Sequence, residues 1–225
     1  MPDPVSAPPV IQFVEHFLGA FAAIFPMVNP FSTMPLFLSL TSGMSAPKQR
    51  DQALKASIIA AVIMLVVLYI GAVILHFFGI SIGALRVAGG LIVAYIGFHL
   101  LFPSATPTPR IAPDSKKNDL ELDFAFMPLA FPSLAGAGTM AVVMSMTTHA
   151  GALPDITDRL LSYAAVSLSI LSVTLVAWLV LRTSTKLLHL LGPRRLDAMN
   201  QIMGLLLVCI GVQFVATGIR NFVSD

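Results

Sequence analysis

Two short stretches hold the residue types that could do chemistry. The first is Phe25-Pro26-Met27-Val28-Asn29-Pro30-Phe31-Ser32-Thr33-Met34-Pro35. The second is Phe131-Pro132-Ser133-Leu134-Ala135-Gly136-Ala137-Gly138-Thr139-Met140. Each interrupts an apolar run, the first with prolines and the second with Pro132 and two glycines. A proline inside a helix removes a backbone donor and clashes with the preceding turn. Both runs are therefore expected to open into half-helices. A half-helix N-terminus presents N–H groups and partial positive charge, and suits a carboxylate. A half-helix C-terminus presents carbonyls, and suits an ammonium group. A zwitterion such as an amino acid fits a site with both. The candidate solute-binding residues are Asn29, Pro30, Ser32 and Thr33 at the first break, and Gly136, Ala137, Gly138 and Thr139 at the second. The competing reading is that the prolines only kink two long helices and the polar side chains repair the backbone. The pairing of the breaks, with polar residues clustered at them, favours a solute site.

The elements that must position these residues are membrane helices. The chain has 225 residues, 56% hydrophobic and 11% charged, with a mean hydropathy of +0.87. A soluble domain has about 25% charged residues. A spanning helix needs about 20 mostly apolar residues. Six runs qualify: Phe13 to Thr41, Leu54 to Phe78, Ile80 to Phe102, Phe124 to Thr148, Leu160 to Leu181 and Met199 to Ile219. Gly79 alone separates the second from the third, so that turn must be tight. In lipid, a broken helix is tolerated only where protein or a water-filled cavity shields the freed backbone.

The two halves repeat. Phe25-Pro26 falls on Phe131-Pro132 and Thr33-Met34 on Thr139-Met140 at a constant offset, and Ser39 and Thr41 fall on Ser145 and Thr147. Gly90 and Gly97 in the third span match Gly204 and Gly211 in the sixth. Small residues so spaced on one helix face let backbones approach. An odd number of spans per half inverts the second half in the membrane. The expected fold is all-α, with six transmembrane helices as two inverted three-helix repeats, helices 1 and 4 broken near the midplane. The expected units are residues 1–102 for the first repeat, a cytoplasmic loop at 103–123 and residues 124–225 for the second repeat.

Charge fixes the expected orientation. Lys48, Arg50, Lys55, Arg110, Lys116, Lys117, Arg182, Lys186, Arg194 and Arg195 fall on one side, and Arg86, Arg159 and Arg220 on the other. Cytoplasmic loops carry the excess of Lys and Arg. Both termini are expected outside the cytoplasm, in the periplasm of a bacterial inner membrane. The net charge of +2 sits in loops and implies no nucleic-acid partner. The start lacks a basic n-region, so the first apolar run is expected to be retained. Cys209 is the sole cysteine, expected as a small core residue. Glu15 and His16 are expected at the outer interface, His99 and His189 near the cytoplasmic ends, and His149 near the outer end of the fourth span. His76 and Arg86 flank the second turn and are expected at the interface rather than in a pathway. No Asp or Glu falls in the middle of a span, which leaves a carboxylate proton relay without a carrier. No Walker loop, Cys/His metal spacing or intramembrane-protease pattern is present, so neither an enzyme, a cofactor nor a metal site is expected.

The stretches Asn29-Pro30 with Pro35-Leu36-Phe37-Leu38, Gly79-Ile80-Ser81-Ile82, and Leu85-Arg86-Val87-Ala88-Gly89-Gly90-Leu91-Ile92 resemble the MarC family of bacterial inner-membrane proteins. So do Pro128-Leu129-Ala130-Phe131-Pro132, Ala135-Gly136-Ala137-Gly138 and Met203 to Phe214. The likeness spans nearly the whole chain. The family pattern has Asn-Pro-x-Gly at the first break, where Ser32 stands here for the glycine. It has Gly-Pro-Gly at the second, where Ala137 stands for the proline. The resemblance implies a six-span fold grouped with LysE-type exporters, some of whose relatives transport small neutral amino acids.

The expected function is secondary transport of a small neutral solute such as an amino acid. The alternatives are a non-transporting envelope scaffold or partner and, less favoured for want of a midspan acid, multidrug efflux. The expected partners are that solute and the lipid bilayer. The sequence names no coupling ion and allows a homo-oligomer.

Overall fold

A computed structural model describes residues 8–102, 124–151 and 155–224. Residues 103–123, expected as a cytoplasmic loop, and the side chains of His149 and His189 lie outside the described residues. The helices are α1 (Pro9–Val28), α2 (Pro30–Thr41), α3 (Ala46–Phe77), α4 (Ile82–Leu101), α5 (Ala137–Gly151), α6 (Ile156–Arg182) and α7 (Ser184–Ser224). An irregular segment, Ala125–Leu134, precedes α5. Among the described residues there is no strand. Five helical stretches are long and apolar enough to cross a membrane. The arms Ala125–Leu134 and Ala137–Thr147, bent by 61°, make a sixth if taken as one span.

Local sequence explains the boundaries. Gly79 takes φ +63°, and the Ser81 side chain accepts from the Ala84 N–H at 3.1 Å. That is the tight turn expected between the second and third spans, closed by an N-cap. At the opposite end of the bundle, Gln49 donates through Nε2 to the Thr41 carbonyl at 2.8 Å, satisfying a C-terminal oxygen of α2.

Two boundaries differ from expectation. The second span begins at Ala46, so Lys48, Arg50 and Lys55 lie on the first turns of α3, with Lys55 paired to Asp51 at 2.9 Å. The stretch after Arg182, read as a loop, is helical in α7, and the chain reorients within it at Gly192, where φ is 71°. Lys186, Arg194 and Arg195 are thus helical residues near one end of the bundle.

The core is built from Ile24, Val28 and Phe37 of the broken first span, Met64 and Leu68 of α3, Leu129 and Leu134, and Ile170 of α6. α1 packs on α6, and α3 on α6, α5 and Ala125–Leu134. Phe77, Phe78, Tyr95, Leu91 and Ile202 are exposed, as lipid-facing residues should be. So is Cys209, contrary to the core position expected of it.

Lipid tails are as apolar as leucine, so burial alone does not hold membrane helices together. Close packing and hydrogen bonds do. Thr147 Oγ1 donates to the Leu68 carbonyl at 2.7 Å, joining α5 to α3. Ser169 Oγ donates to the Phe17 carbonyl at 2.9 Å, joining α6 to α1. Such bonds average about 0.6 kcal/mol in a bilayer. α4 and α7 approach each other backbone to backbone. A Cβ on Gly90 would stand 2.6 Å from the Gly211 oxygen, and one on Gly97 2.7 Å from the Gly204 oxygen. Because Gly90 corresponds to Gly204 and Gly97 to Gly211, the two contacts exchange under the expected repeat. The packing is compatible with an inverted repeat.

Candidate functional site

At the first break, Asn29 ends α1 and begins α2 in the left-handed region, with φ 33° and ψ 71°. Asn is one of the few side chains that tolerate this conformation. Its backbone N–H donates to Phe25 O at 3.1 Å. Its carbonyl accepts from the Ser32 and Thr33 N–H groups at 3.1 and 3.3 Å. Its side-chain Oδ1 accepts from the Ser32 N–H at 3.3 Å. The α2 N-terminus is therefore largely closed by Asn29 itself, and Pro30 has no N–H to offer.

The prolines free carbonyls instead. Pro26, Pro30 and Pro35 lack donors, so Ala22, Pro26 and Phe31 lose their i+4 helical partners. One donor at the break is also unpartnered, as are four other buried side-chain atoms elsewhere among the described residues. Asn29 is only 5% exposed, and its Nδ2 has no hydrogen-bond partner. A buried, unpartnered amide costs about 1–3 kcal/mol.

The second break is more irregular than the expected pair of half-helices. Met127 and Phe131 have extended backbone within Ala125–Leu134, and the peptide bonds to Pro128 and Pro132 are cis. Pro128 lies inside this segment with Pro132, upstream of the break expected at Pro132 and the two glycines. The chain then turns through Ala135 and Gly136 into α5. A Cβ on Gly136 would meet the Pro132 carbonyl oxygen at 2.6 Å, so only glycine fits there. Thr139 Oγ1 donates back to Leu134 O at 3.4 Å. The N–H groups of Ala137, Gly138 and Thr139 belong to the first turn of α5, which has no intrahelical acceptor for them.

The two breaks touch. A Cβ on Gly138 would lie 2.5 Å from Met27 Cε, two residues before Asn29. Asn29, Pro30, Thr33, Gly138 and Thr139 are buried, Ser32 and Gly136 half-buried, and Ala137 exposed. The contact between the breaks thus runs through Met27 and Gly138, and Met27 was not among the expected residues.

Two adjoining cavities open toward the end of the bundle where α1 begins. One, of about 520 Å³, is lined by Gly19, Ala22, Ala23, Arg86, Gln213 and Arg220 among others. The other, of about 360 Å³, reaches Glu15, His16 and Ser162. Both include Gly19, Ala23, Arg86, Ser145 and Phe214. Neither is lined by the eight residues expected from sequence. Ala23 is four residues before Met27, about 6 Å along the helix axis.

Arg86, expected at the interface, turns inward from the first turns of α4. It is half-buried, and its Nε donates to Ser145 Oγ on α5 at 3.1 Å. With the Asn221 amide oriented by its own bonds, Arg86 Nη1 donates to Asn221 Oδ1 on α7 at 2.8 Å. His76, placed at the interface with it, ends α3 beside the Gly79 turn. The available signal was an arginine five residues into an otherwise apolar helix.

Residues 14–223 match the family described as MarC family integral membrane protein. The chain is similar to the inner membrane protein MarC of Escherichia coli O1:K1, with 39% identity covering 89% of this chain and 92% of that protein. It is likewise similar to the inner membrane proteins MarC of Salmonella paratyphi B and Salmonella typhimurium, each 38% identical over the same shares. No solved structure matches it. With its apolar helices, the chain is a multi-pass inner-membrane protein and belongs to the MarC family.

Proposed function

We propose that the protein is a secondary transporter of a small neutral zwitterion, an amino acid being the class that fits best. The observation that carries this reading is the Asn29 amide nitrogen, buried at a break between two half-helices and lacking a partner. Of the five buried side-chain atoms without a partner among the described residues, it is the one at the first break. A carboxylate or carbonyl oxygen of a bound solute would satisfy it. The freed carbonyls of Ala22, Pro26 and Phe31 are acceptors for an ammonium group. The first turn of α5, at Ala137, Gly138 and Thr139, supplies donors for a carboxylate. Asn29, Pro30, Ser32 and Thr33 form one side of this site, and Gly136 to Thr139 the other.

Multidrug efflux fits less well. Arg86 and Arg220 line one adjoining cavity, and Arg86 and Glu15 the other. Two guanidinium groups against one carboxylate repel a lipophilic cation. A chain that only scaffolds an envelope system needs no open amide in its core.

The test is flux of labelled glycine, L-alanine and L-serine into proteoliposomes containing the purified protein. Flux above empty liposomes, abolished by Asn29→Gly, is the expected result. A folded, reconstituted protein that moves none of the three excludes this substrate class.

A further inference from the structure

We infer that Arg86 is a carboxylate-binding group at the mouth of the cavity, a first station for the solute outside the break. Four observations lead there. Arg86 lines both cavities, on the fifth residue of an apolar helix. Its two hydrogen bonds go to neutral oxygens, Ser145 Oγ and Asn221 Oδ1, and take two of the five N–H groups of a guanidinium. Among the described residues it forms no ion pair. Ser145 and Asn221, on α5 and α7, hold the guanidinium between two helices.

An ionisable side chain within a membrane span is costly and faces a cavity or partner. Arg86 faces a cavity. The ionisable groups lining the two cavities with it are Glu15, His16 and Arg220, so two guanidinium groups stand against one carboxylate. A guanidinium binds a carboxylate through two parallel hydrogen bonds. Gln213 lines the same cavity and adds a neutral donor. The size, about 520 Å³, suits a small molecule. Ala22 and Ala23 in its wall lead along α1 toward Met27 and the break.

The inference draws the identity of the solute from the transport reading, but the site stands on its own geometry. Its ligand class is a small monocarboxylate, and a lipid phosphate is the other source of the same charge. The experiment is protection of Arg86 from phenylglyoxal in the purified full chain, read by mass spectrometry, with exposed Arg50 as the internal reference. The probes are propionate, L-alanine and ethylamine. Propionate and L-alanine should slow modification of Arg86 and leave Arg50 unchanged, and ethylamine should do nothing. Equal protection by ethylamine, or none by either carboxylate, overturns the proposal. So does protection by phosphatidylglycerol vesicles, relative to phosphatidylcholine, without any by propionate.

The companion measurement is propionate binding by thermal shift. Arg86→Lys should bind roughly 10- to 100-fold more weakly, because it keeps the charge and loses the fork. Arg86→Gln should show no shift. An unchanged shift in folded Arg86→Gln also overturns the site. Propionate protection without amino-acid flux keeps the carboxylate site and removes the amino-acid reading. Flux without protection does the reverse.

Discussion

Gly90 and Gly211 lie backbone to backbone, and a Cβ on either would stand 2.6 Å from the other's carbonyl oxygen. Neither helix can yield locally, since the obstructing atoms are backbone. Gly90→Ala and Gly211→Ala are each expected to force α4 and α7 apart. The cost is about 1–3 kcal/mol, the range for overpacked cores. The readout is a lowered midpoint of thermal unfolding in detergent. Gly43→Ala is the control, because nothing lies within 4 Å of its Cβ position. Equal midpoints for Gly211→Ala and Gly43→Ala would show that the helices are not in this close contact.

The two glycines of the second break should respond differently. The Gly136 Cβ position meets Pro132 backbone, whereas that of Gly138 meets the far end of the flexible Met27 side chain. Gly136→Ala is therefore expected to be the more damaging alanine substitution for stability. Gly138→Ala should be tolerated once Met27 turns aside. Gly138→Val should perturb the break, and adding Met27→Ala should recover part of the loss. A double-mutant cycle checks this, with a coupling energy of about 0.5–3 kcal/mol expected for residues in contact. Additive effects would separate the two breaks.

Much of this architecture was legible in the chain because its punctuation is local. Asn29-Pro30, Gly79 and the glycines at 90, 97, 204 and 211 act through backbone conformation or lack of a side chain, which sequence states directly. What sequence left open depends on neighbours. In a nearly all-apolar helix, periodicity does not separate lipid-facing from buried positions. Cys209 therefore read as core although it is exposed. Arg86 read as interfacial from its place near a helix start. Its direction is set by Ser145 and Asn221, which are remote in sequence. The closure of α2 by Asn29 depends on a left-handed residue that could not be read from composition. The helical course of Lys186, Arg194 and Arg195 was hidden by their charge, which resembles that of a loop.

The end of the bundle that carries Lys48, Arg50, Lys55, Arg182, Lys186, Arg194 and Arg195 is expected to face the cytoplasm. The opposite end, with Arg86, Arg159 and Arg220, and both termini, would then face the periplasm. In a Cys209→Ala background, a membrane-impermeant maleimide applied to intact cells should label Pro8→Cys. It should spare Ser42→Cys, which lies in the exposed turn at the other end. The reversed pattern would invert the protein and put the Arg86 cavity on the cytoplasmic side.

Asn29 allows conformation and chemistry to be separated. Its left-handed backbone suits glycine better than any other replacement. Asn29→Gly keeps the turn, loses the cap from Oδ1 to the Ser32 N–H, and removes the unpartnered Nδ2. Replacing an Asn cap by glycine costs only a few tenths of a kcal/mol, and deleting an unsatisfied buried donor offsets that. Its thermal midpoint should stay close to wild type. Asn29→Ala removes the same amide but, unlike glycine, keeps a Cβ in the left-handed region without the side-chain hydrogen bond by which asparagine tolerates it, at up to about 1–2 kcal/mol, so its midpoint should fall. If the amide serves a solute, both variants lose flux although only one loses stability. Full flux in Asn29→Gly would leave the amide without a role in transport. Asn29→Gly gaining stability while losing flux would identify the open amide as a functional group retained at the expense of the fold.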